Sequence, residues 1–167
     1  MTGAPHLVPI GPADRDQVRR WLSMPEVQAF WGSAAAAEAE VSLALAGPGT
    51  ICRMIEIDGA TVGYAHALDC VLLGGDHAAA LPPATWDCAV FIASAGHRGR
   101  GLGGRALALL VAEVFSTTLA LACVIRVPVR SEAAARAVEG VGFRWERIAG
   151  DAALGPVWVM RIERPRR

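Results

Sequence analysis

The sequence contains no apolar segment long enough to cross a membrane. No run of about 18 uncharged apolar residues occurs, and Glu113 interrupts the most apolar helix candidate. The first ten residues have no basic stretch followed by an apolar core, which a secretory signal requires. From these absences we expect a cytoplasmic protein with no membrane partner.

Paired cysteines and an excess of one charge are also missing. Cys52, Cys70, Cys88 and Cys123 are widely spaced and form no CxxC pair, so we expect reduced thiols and no metal site. The 16 basic residues balance the 16 acidic ones. Such a balance gives no general attraction to nucleic acid, and we expect no nucleic-acid partner.

The rest of the composition is typical of one globular domain. Hydrophobic residues make up 53% of the 167 residues, and no repeat or linker divides them, so 1–167 is predicted to be a single domain. Periodicity and turn residues predict helices and strands that alternate around one mixed sheet, an α/β (α+β) fold. The predicted helices are 14–22, 24–31, one capped by Ser33, 102–117 and one opened by Ser131; the predicted strands are 7–10, 51–57, 61–69, 86–94, 120–129, 143–149 and 155–163.

The segment 70–85 is predicted to be a long connection rich in Gly and Pro. Long loops in compact domains are often functional. We therefore interpret this segment as a candidate lid over a small ligand.

The most informative stretch is the glycine loop, residues 97–104 (HRGRGLGG), between a predicted strand and a predicted helix. The first N–H groups of a helix have no intrahelical acceptor, and the helix dipole favours an anion there. Glycines let the backbone approach a ligand closely, and the two arginines of the loop can add charge-assisted contacts. The loop predicts a phosphate or pyrophosphate site.

Two common phosphate motifs fit this loop less well. Gly99, Gly101 and Gly104 satisfy GxGxxG, the dinucleotide fingerprint, but the strand 120–129 carries no acidic residue for a ribose. Only about 60 residues follow the loop, which is too few for the usual βαβαβ half. No segment matches the P-loop pattern GxxxxGK[ST].

The spacing Arg98-x-x-Gly101-x-Gly103 instead resembles the R/Q-x-x-G-x-G/A signature of GNAT (Gcn5-related) acetyltransferases. A second run, from Ser131 through Val138 to Gly142-Phe143, resembles the N-x-x-A-x-x-x-Y-x-x-x-G-F pattern of that family. Within the family, the chain looks most similar to aminoglycoside N-acetyltransferases. That closer likeness lies in Trp21-Leu22, Phe30-Trp31-Gly32 and Val62-Gly63-Tyr64-Ala65.

The resemblance implies a GNAT-like fold, with the sheet splayed at its middle and helices on both faces, that binds acetyl-coenzyme A. It implies that the backbone of Phe91, Ile92 and Ala93 pairs with the pantetheine arm, and that Ser131 lies near the other end of the cofactor. The pyrophosphate would be held by the N–H groups of Arg98, Gly99, Arg100, Gly101, Leu102, Gly103 and Gly104.

Acetyl transfer to an amine needs a group that removes a proton from the amine. Asp87, at the start of the strand before the glycine loop, is our first candidate base. Its rivals are Asp69, His66, Asp76 and His77. Trp31 and Asp69 are expected to line the acceptor site.

One position departs from the family pattern. Val138 stands where the family usually has a Tyr that protonates the coenzyme A thiolate, and valine cannot donate a proton.

The expected function is transfer of an acetyl group to an amine of a small molecule, aminoglycoside-like or of polyamine type. A cofactor-binding sensor or interaction module with little catalysis, and an enzyme that acetylates protein N-termini or lysines, remain as alternatives. A homodimer is left open.

Overall fold

A computed structural model of the protein describes residues 3–166. Its helices are α1 (Asp14–Leu22), α2 (Pro25–Trp31), α3 (Ala34–Ala46), α4 (Cys70–Leu73), α5 (Gly75–Ala79), α6 (Leu102–Thr117) and α7 (Glu132–Val141), with a 3₁₀ turn at Ala95–His97. Its strands are β1 (His6–Pro9), β2 (Ile51–Ile57), β3 (Ala60–Asp69), β4 (Thr85–Ile92), β5 (Ala122–Pro128), β6 (Arg144–Asp151) and β7 (Gly155–Glu163). No helix within residues 3–166 is both long and apolar enough to span a membrane.

The strands form one mixed sheet in the order β1-β2-β3-β4-β5-β7-β6. All neighbours are antiparallel except β4 and β5, which are parallel. The sequence predicted β6 and β7 as a closing pair, and they do pair. It did not reveal that β7 lies between β5 and β6.

Local signals explain where several elements begin and end. Pro25 opens α2 at a position where its missing N–H costs no hydrogen bond. The Ser33 side chain accepts a hydrogen bond from the N–H of Ala36 and caps α3. Asp58 and Gly59 adopt positive φ in the turn between β2 and β3, as the Asp-Gly pair predicted.

Helices cover both faces of the sheet, as expected. On one face α6 and α7 pack a core that includes Leu107, Leu110 and Val138. On the other face α1, α2 and α3 pack a second core around Tyr64 and Phe91. Because both of its faces are covered, β3 is buried from Val62 to Leu68 and its sequence is almost continuously apolar.

The sheet splays between β4 and β5. The two strands pair only where Thr85–Asp87 lie opposite Ala122–Val124. The later residues of both strands, 88–92 and 125–128, line a cavity instead. This opening in the middle of the sheet confirms the predicted GNAT-like architecture.

The segment 70–85 is not the irregular lid that the sequence predicted. Asp69 accepts a hydrogen bond from the N–H of Val71 and starts α4, and α5 follows at once. Cys70 is buried against the sheet, and His77 bonds to Asp87. Among the described residues, none of those from 70 to 85 lines the cavity, so the lid interpretation is wrong.

Candidate active site

One elongated cavity of about 870 Å³ runs along the splay. It begins at the glycine loop and passes between β4 and β5. It ends among α2, α3 and the turn between β6 and β7. The glycine loop, predicted to hold the cofactor, and Trp31, predicted to line the acceptor site, therefore line the same cavity.

The glycine loop forms the first end of the cavity. Gly99 and Gly101 have φ of 70° and 72°, and Gly101 is the N-cap of α6. A Cβ at either glycine would meet no atom within 4 Å, so both positions border open space. The first bond of α6 joins the N–H of Arg105 to the carbonyl of Gly101. The N–H groups of residues 102–104 consequently lie at the helix start without an intrahelical acceptor.

The other residues of the loop have different roles. Gly103 and Leu102 both line the cavity, and Leu102 is also almost wholly buried in the core beside it. Gly104 lies where a Cβ would be 3.4 Å from the Ala137 carbonyl, so it allows α6 to approach α7 closely. Arg100 is exposed and is not among the residues that line the cavity.

Arg98 braces the end of β4. Its guanidinium donates from Nε to the carbonyl of Ile92 at 3.0 Å and from Nη2 to the carbonyl of Ala93. The side chain thus fixes the chain between the strand and the glycine loop, while Arg98 also lines the cavity.

The register of β4 on β3 determines which backbone N–H and C=O groups of β4 face the splay. Ala93 donates its N–H to Val62, so in the alternating antiparallel ladder Phe91 also directs its backbone groups to β3. The backbone groups of Phe91 and the N–H of Ala93 therefore have partners on β3, the Ala93 carbonyl accepts from Arg98, and Phe91 still lines the cavity. The backbone groups of Val90, which was not predicted, and the N–H of Ile92 point the other way, into the splay, whereas the Ile92 carbonyl accepts from Nε of Arg98.

Two α7 positions complete the middle of the cavity. Ser131 is the N-cap of α7 and lines the cavity. Val138 also lines it and is only 6% exposed. The wall is consequently apolar at the position where a tyrosine was expected.

The far end of the cavity contains a cluster of charges that we call the Arg126 cluster: Arg126, Glu40, Asp87 and Asp151. Arg126 donates to both oxygens of Asp87 at 3.1 and 3.2 Å. It also donates to both oxygens of Glu40 at 3.0 and 3.1 Å, and to Asp151 at 3.1 Å. Three carboxyl groups against one guanidinium leave two negative charges in excess when all three are ionised. This end of the cavity therefore suits a cation.

Two histidines contact carboxylates of the Arg126 cluster. His66 Nε2 lies 3.1 Å from Glu40, and His77 Nε2 lies 2.9 Å from Asp87. A hydrogen bond to a carboxylate requires Nε2 to carry a proton, and Nδ1 of His66 lies 3.1 Å from the Tyr64 hydroxyl. Burial raises the pKa of Tyr64 well above its usual range, which keeps this hydroxyl a donor.

The electrostatics of Glu40 follow from these contacts. Burial on its own would raise the pKa of Glu40, but the hydrogen bond from His66 and the charge of Arg126 outweigh it and lower the pKa to about 2. Arg126 is held as a cation in turn, because Asp87 and Glu40 raise its pKa. Glu40 is thus a carboxylate at neutral pH, and its side chain is 21% exposed in the cavity wall.

The predicted acceptor-site residues divide into two groups. Asp87 lines the cavity, and so does Trp31, whose ring packs edge-on against Phe91 at 5.1 Å. Asp69 does not reach the cavity; it caps α4. His97, beside the glycine loop, lines the cavity with its Nδ1 2.8 Å from Ser94.

Sequence reasoning missed Glu40, Arg126 and Asp151. One signal was present: Arg126 is the single charged residue in the otherwise apolar strand ALACVIRVPV (120–129). A charge inside a strand buried on both faces needs partners, and this one could have been identified on that ground.

The structure also brings together Cys70, His77 and Asp87, whose potential metal-ligand atoms all lie within 4.8 Å of one another. This group was not predicted, because the three residues are separated in the sequence and form no metal-binding motif. Burial raises the pKa of the Cys70 thiol, which disfavours the thiolate that a metal would need. Arg126 already supplies a cation to Asp87.

Comparison with known proteins identifies the class. The profile described as "Acetyltransferase (GNAT) domain" matches residues 12–149. The chain therefore belongs to the GNAT acetyltransferase family, which confirms the class that the glycine loop indicated. None of the curated proteins matches the chain.

Solved structures with the same fold include several acetyltransferases. Aminoglycoside acetyltransferase AAC(6′)-Ib in complex with coenzyme A and kanamycin superposes with a TM-score of 0.81 at 20% identity, over 96% of this chain and 95% of that one. Spermidine N-acetyltransferase from Vibrio cholerae, in complex with coenzyme A and spermine, gives 0.72 at 14% identity, over 95% of each chain. Mycobacterium smegmatis RimJ in complex with CoA-disulfide gives 0.73 at 16% identity, over 96% and 82%.

Proposed function

We propose that this protein transfers the acetyl group of acetyl-coenzyme A to an amine of a small cationic molecule, aminoglycoside-like or of polyamine type. The single observation that carries the proposal is the position of the Arg126 cluster. It lies at the opposite end of the cavity from the glycine loop, so a cation bound there faces along the splay.

The residues at the glycine loop fit acetyl-coenzyme A. Gly99 and Gly101 border open space at the start of α6, where the free N–H groups suit the pyrophosphate. The outward backbone groups of Val90 and the N–H of Ile92 would pair with the pantetheine arm, and Ser131 lies farther along the same wall. When bound, the cofactor supplies an activated thioester carbonyl.

An amine must lose its proton before it can attack. With a pKa of about 10, roughly one alkyl amine in a thousand is neutral at pH 7, a deficit of about 4 kcal/mol. We propose Asp87 as the base, because its carboxylate, 1% exposed, lines the cavity beside Glu40 and Asp151, which would hold the ammonium group. His77 fixes its orientation through a contact of 2.9 Å between Nε2 and the Asp87 carboxylate.

The same cavity supports a second candidate function. Val138 forms an apolar, almost buried wall where the family has a proton donor. A protein that binds acetyl-coenzyme A and acetylates weakly or not at all, acting as a sensor, would need no donor there.

Release of coenzyme A across a panel of amines tests the proposal. We expect turnover with diamines and aminoglycosides, and much less with neutral or acidic amine compounds such as amino acids. Asp87→Asn should lower kcat by about 10²–10⁴-fold, as loss of a general base does. Asp69→Asn, which changes an aspartate outside the cavity, is the matched control and should retain most of kcat.

Each outcome distinguishes the candidates. Binding of acetyl-coenzyme A without acetylation of any amine would favour the sensor. Turnover that is equal in Asp87→Asn and wild type would remove Asp87 as the base while leaving the transferase activity in place.

A further inference from the structure

Arg126 occupies an unusual place for a charged residue. It lies on β5, opposite Val159 of β7, in a strand whose other residues are buried or nearly so. Its side chain is 18% exposed, and the exposed part faces the cavity. The free energy needed to hold a charge there implies compensating partners.

The guanidinium uses all three of its nitrogens on partners from three elements. Nε and Nη2 bind Asp87 of β4, Nη2 also binds Glu40 of α3, and Nη1 binds Asp151 at the end of β6. Those elements lie on different sides of the cavity end. A planar fork with five N–H donors can make these contacts at once, whereas the compact ammonium of lysine cannot.

Each carboxylate also has a second anchor of its own. His66 holds Glu40, His77 holds Asp87, and the N–H groups of Ala153 and Leu154 hold Asp151. Arg126 is the group that joins the three anchors and fixes the carboxylates relative to one another. Without it, like charges close together would repel and separate.

The guanidinium itself cannot take the proton of an amine, because it is always protonated. We propose that Arg126 is a positioning residue for the acceptor: it holds Glu40 and Asp151, whose side chains are 21% and 13% exposed, beside the buried Asp87, so that these two carboxylates bind the cationic acceptor. This inference rests on the proposed function and adds the determinants of acceptor affinity. It predicts that Arg126 acts on acceptor binding far more than on cofactor binding.

Arg126→Lys is the variant that tests this, since it keeps the charge and loses the fork. The assay measures the acceptor KM, kcat and the Kd for acetyl-coenzyme A. We expect the acceptor KM to rise by about tenfold or more, kcat to change by less than about threefold, and the Kd to stay within about twofold. Arg53→Lys is the matched control: Arg53 pairs with Glu113 at similar exposure but lies outside the cavity, and its KM should be unchanged.

A second measurement does not depend on any acceptor. The pKa of Glu40, followed by NMR titration of its side-chain carboxyl carbon, should be clearly higher in Arg126→Gln than in wild type, because the positive charge is gone. The Arg53→Gln control should leave it unchanged.

The outcomes separate the inference from the proposed function. An unchanged acceptor KM in folded Arg126→Lys, or an unchanged Glu40 pKa in Arg126→Gln, would overturn the positioning role. A large loss of kcat at constant KM would also overturn it, since Arg126 would then act in the chemical step. If wild type acetylates no amine while the Glu40 pKa still responds to Arg126, the proposed function fails and the acceptor role fails with it, but Arg126 is confirmed as the group that organises the cluster.

Discussion

Nε2 of His66 lies 3.1 Å from Oε1 of Glu40, and this contact joins the central strand β3 to helix α3. Glu40 therefore belongs both to the packing of α3 on the sheet and to the wall of the cavity. Because Glu40 holds α3 to the sheet as a carboxylate, the stability of the fold depends on the ionisation of Glu40.

That coupling gives a pH-dependent stability with a definite sign. The pKa of Glu40 is lowered from 4.5 to about 2 in the folded protein. A lowered pKa stabilises the fold above the unfolded value, and the stabilisation is lost as pH falls from about 4.5 towards 2. Between pH 6 and pH 3 we expect the free energy of unfolding of wild type to fall by about 2 kcal/mol more than that of Glu40→Gln. Urea denaturation at the two pH values measures the difference.

Glu38→Gln serves as the control for that experiment. Glu38 also lies on α3, but its side chain is 47% exposed and forms only a long contact with Arg19. We expect its pH dependence to match wild type. A Glu40→Gln variant that loses stability as steeply as wild type would show that Glu40 does not carry the effect.

The glycine loop allows a comparison between two glycines with nearly the same backbone. Gly101 has φ of 72° and Gly59 has φ of 80°, and a Cβ at either would meet no atom within 4 Å. Substitution by valine imposes the same left-handed strain at both, of about 1–2 kcal/mol or more. Only Gly101→Val places a side chain in the cavity at the start of α6, where the pyrophosphate is proposed to bind. It should therefore abolish acetyl-coenzyme A binding, while Gly59→Val retains it.

Isothermal titration of the two variants with acetyl-coenzyme A measures the outcome, with wild type alongside. Equal affinity in folded Gly101→Val would mean that the pyrophosphate binds elsewhere. An equal loss of acetyl-coenzyme A affinity in both variants would mean that backbone strain is responsible, and not the side chain placed in the cavity.

Gly32 controls how closely the turn between β6 and β7 approaches the start of α3. A Cβ at Gly32 would lie 2.6 Å from the Cβ of Ala153, and φ is 81°. Gly49 has φ of 73° but open space around it. Gly32→Ala should therefore lower the free energy of unfolding by more than Gly49→Ala, by at least about 1 kcal/mol. It should also raise the acceptor KM, because Ala153 lines the cavity; equal effects of the two variants on both quantities would contradict this.

Local signals made much of the fold predictable. The spacing of apolar residues set α6 at 102–117, and the structure has the same bounds. The glycine loop was found for the same reason, because its chemistry lies within eight consecutive residues. The GNAT architecture then followed from a motif and its flanking elements, and not from the composition.

The Arg126 cluster could not be found in that way. Arg126 lies 86 residues from Glu40, 39 from Asp87 and 25 from Asp151. Nothing in the sequence near Glu40 distinguishes it from any other polar residue of an Ala-rich helix. Only the packing of α3 on β3 and the insertion of β7 beside β5 bring these groups together.

The register of β4 could not be predicted from the sequence either. The sequence located the strand but not the side to which each N–H and C=O points. A shift of one residue reverses that direction. The resemblance implied three consecutive residues, Phe91, Ile92 and Ala93, whereas the ladder directs alternate residues, Val90 and Ile92, away from β3.

The last prediction concerns the missing tyrosine. Val138 lines the middle of the cavity on α7, between the glycine loop and the Arg126 cluster. If departure of the thiolate is slow because no proton donor lies there, Val138→Tyr should raise kcat and leave the affinity for acetyl-coenzyme A nearly unchanged. A well-placed donor contributes about 10²–10⁴-fold. The gain should be smaller here, because no neighbouring group has been arranged to hold the new hydroxyl.

The larger side chain of Val138→Tyr should also disturb packing, so a control must separate the loss of stability from the rise in kcat. Val138 is only 6% exposed and belongs to the core beneath α7, so a larger ring should cost about 1–3 kcal/mol of stability. Val138→Phe has nearly the same size and no hydroxyl, so its melting temperature should fall as far as that of Val138→Tyr. A rate that rises with Tyr and not with Phe would identify position 138 as the acid position. Equal rates in Tyr, Phe and wild type would show that the proton comes from another source, since a thiolate with a pKa near 8.5 leaves without much assistance.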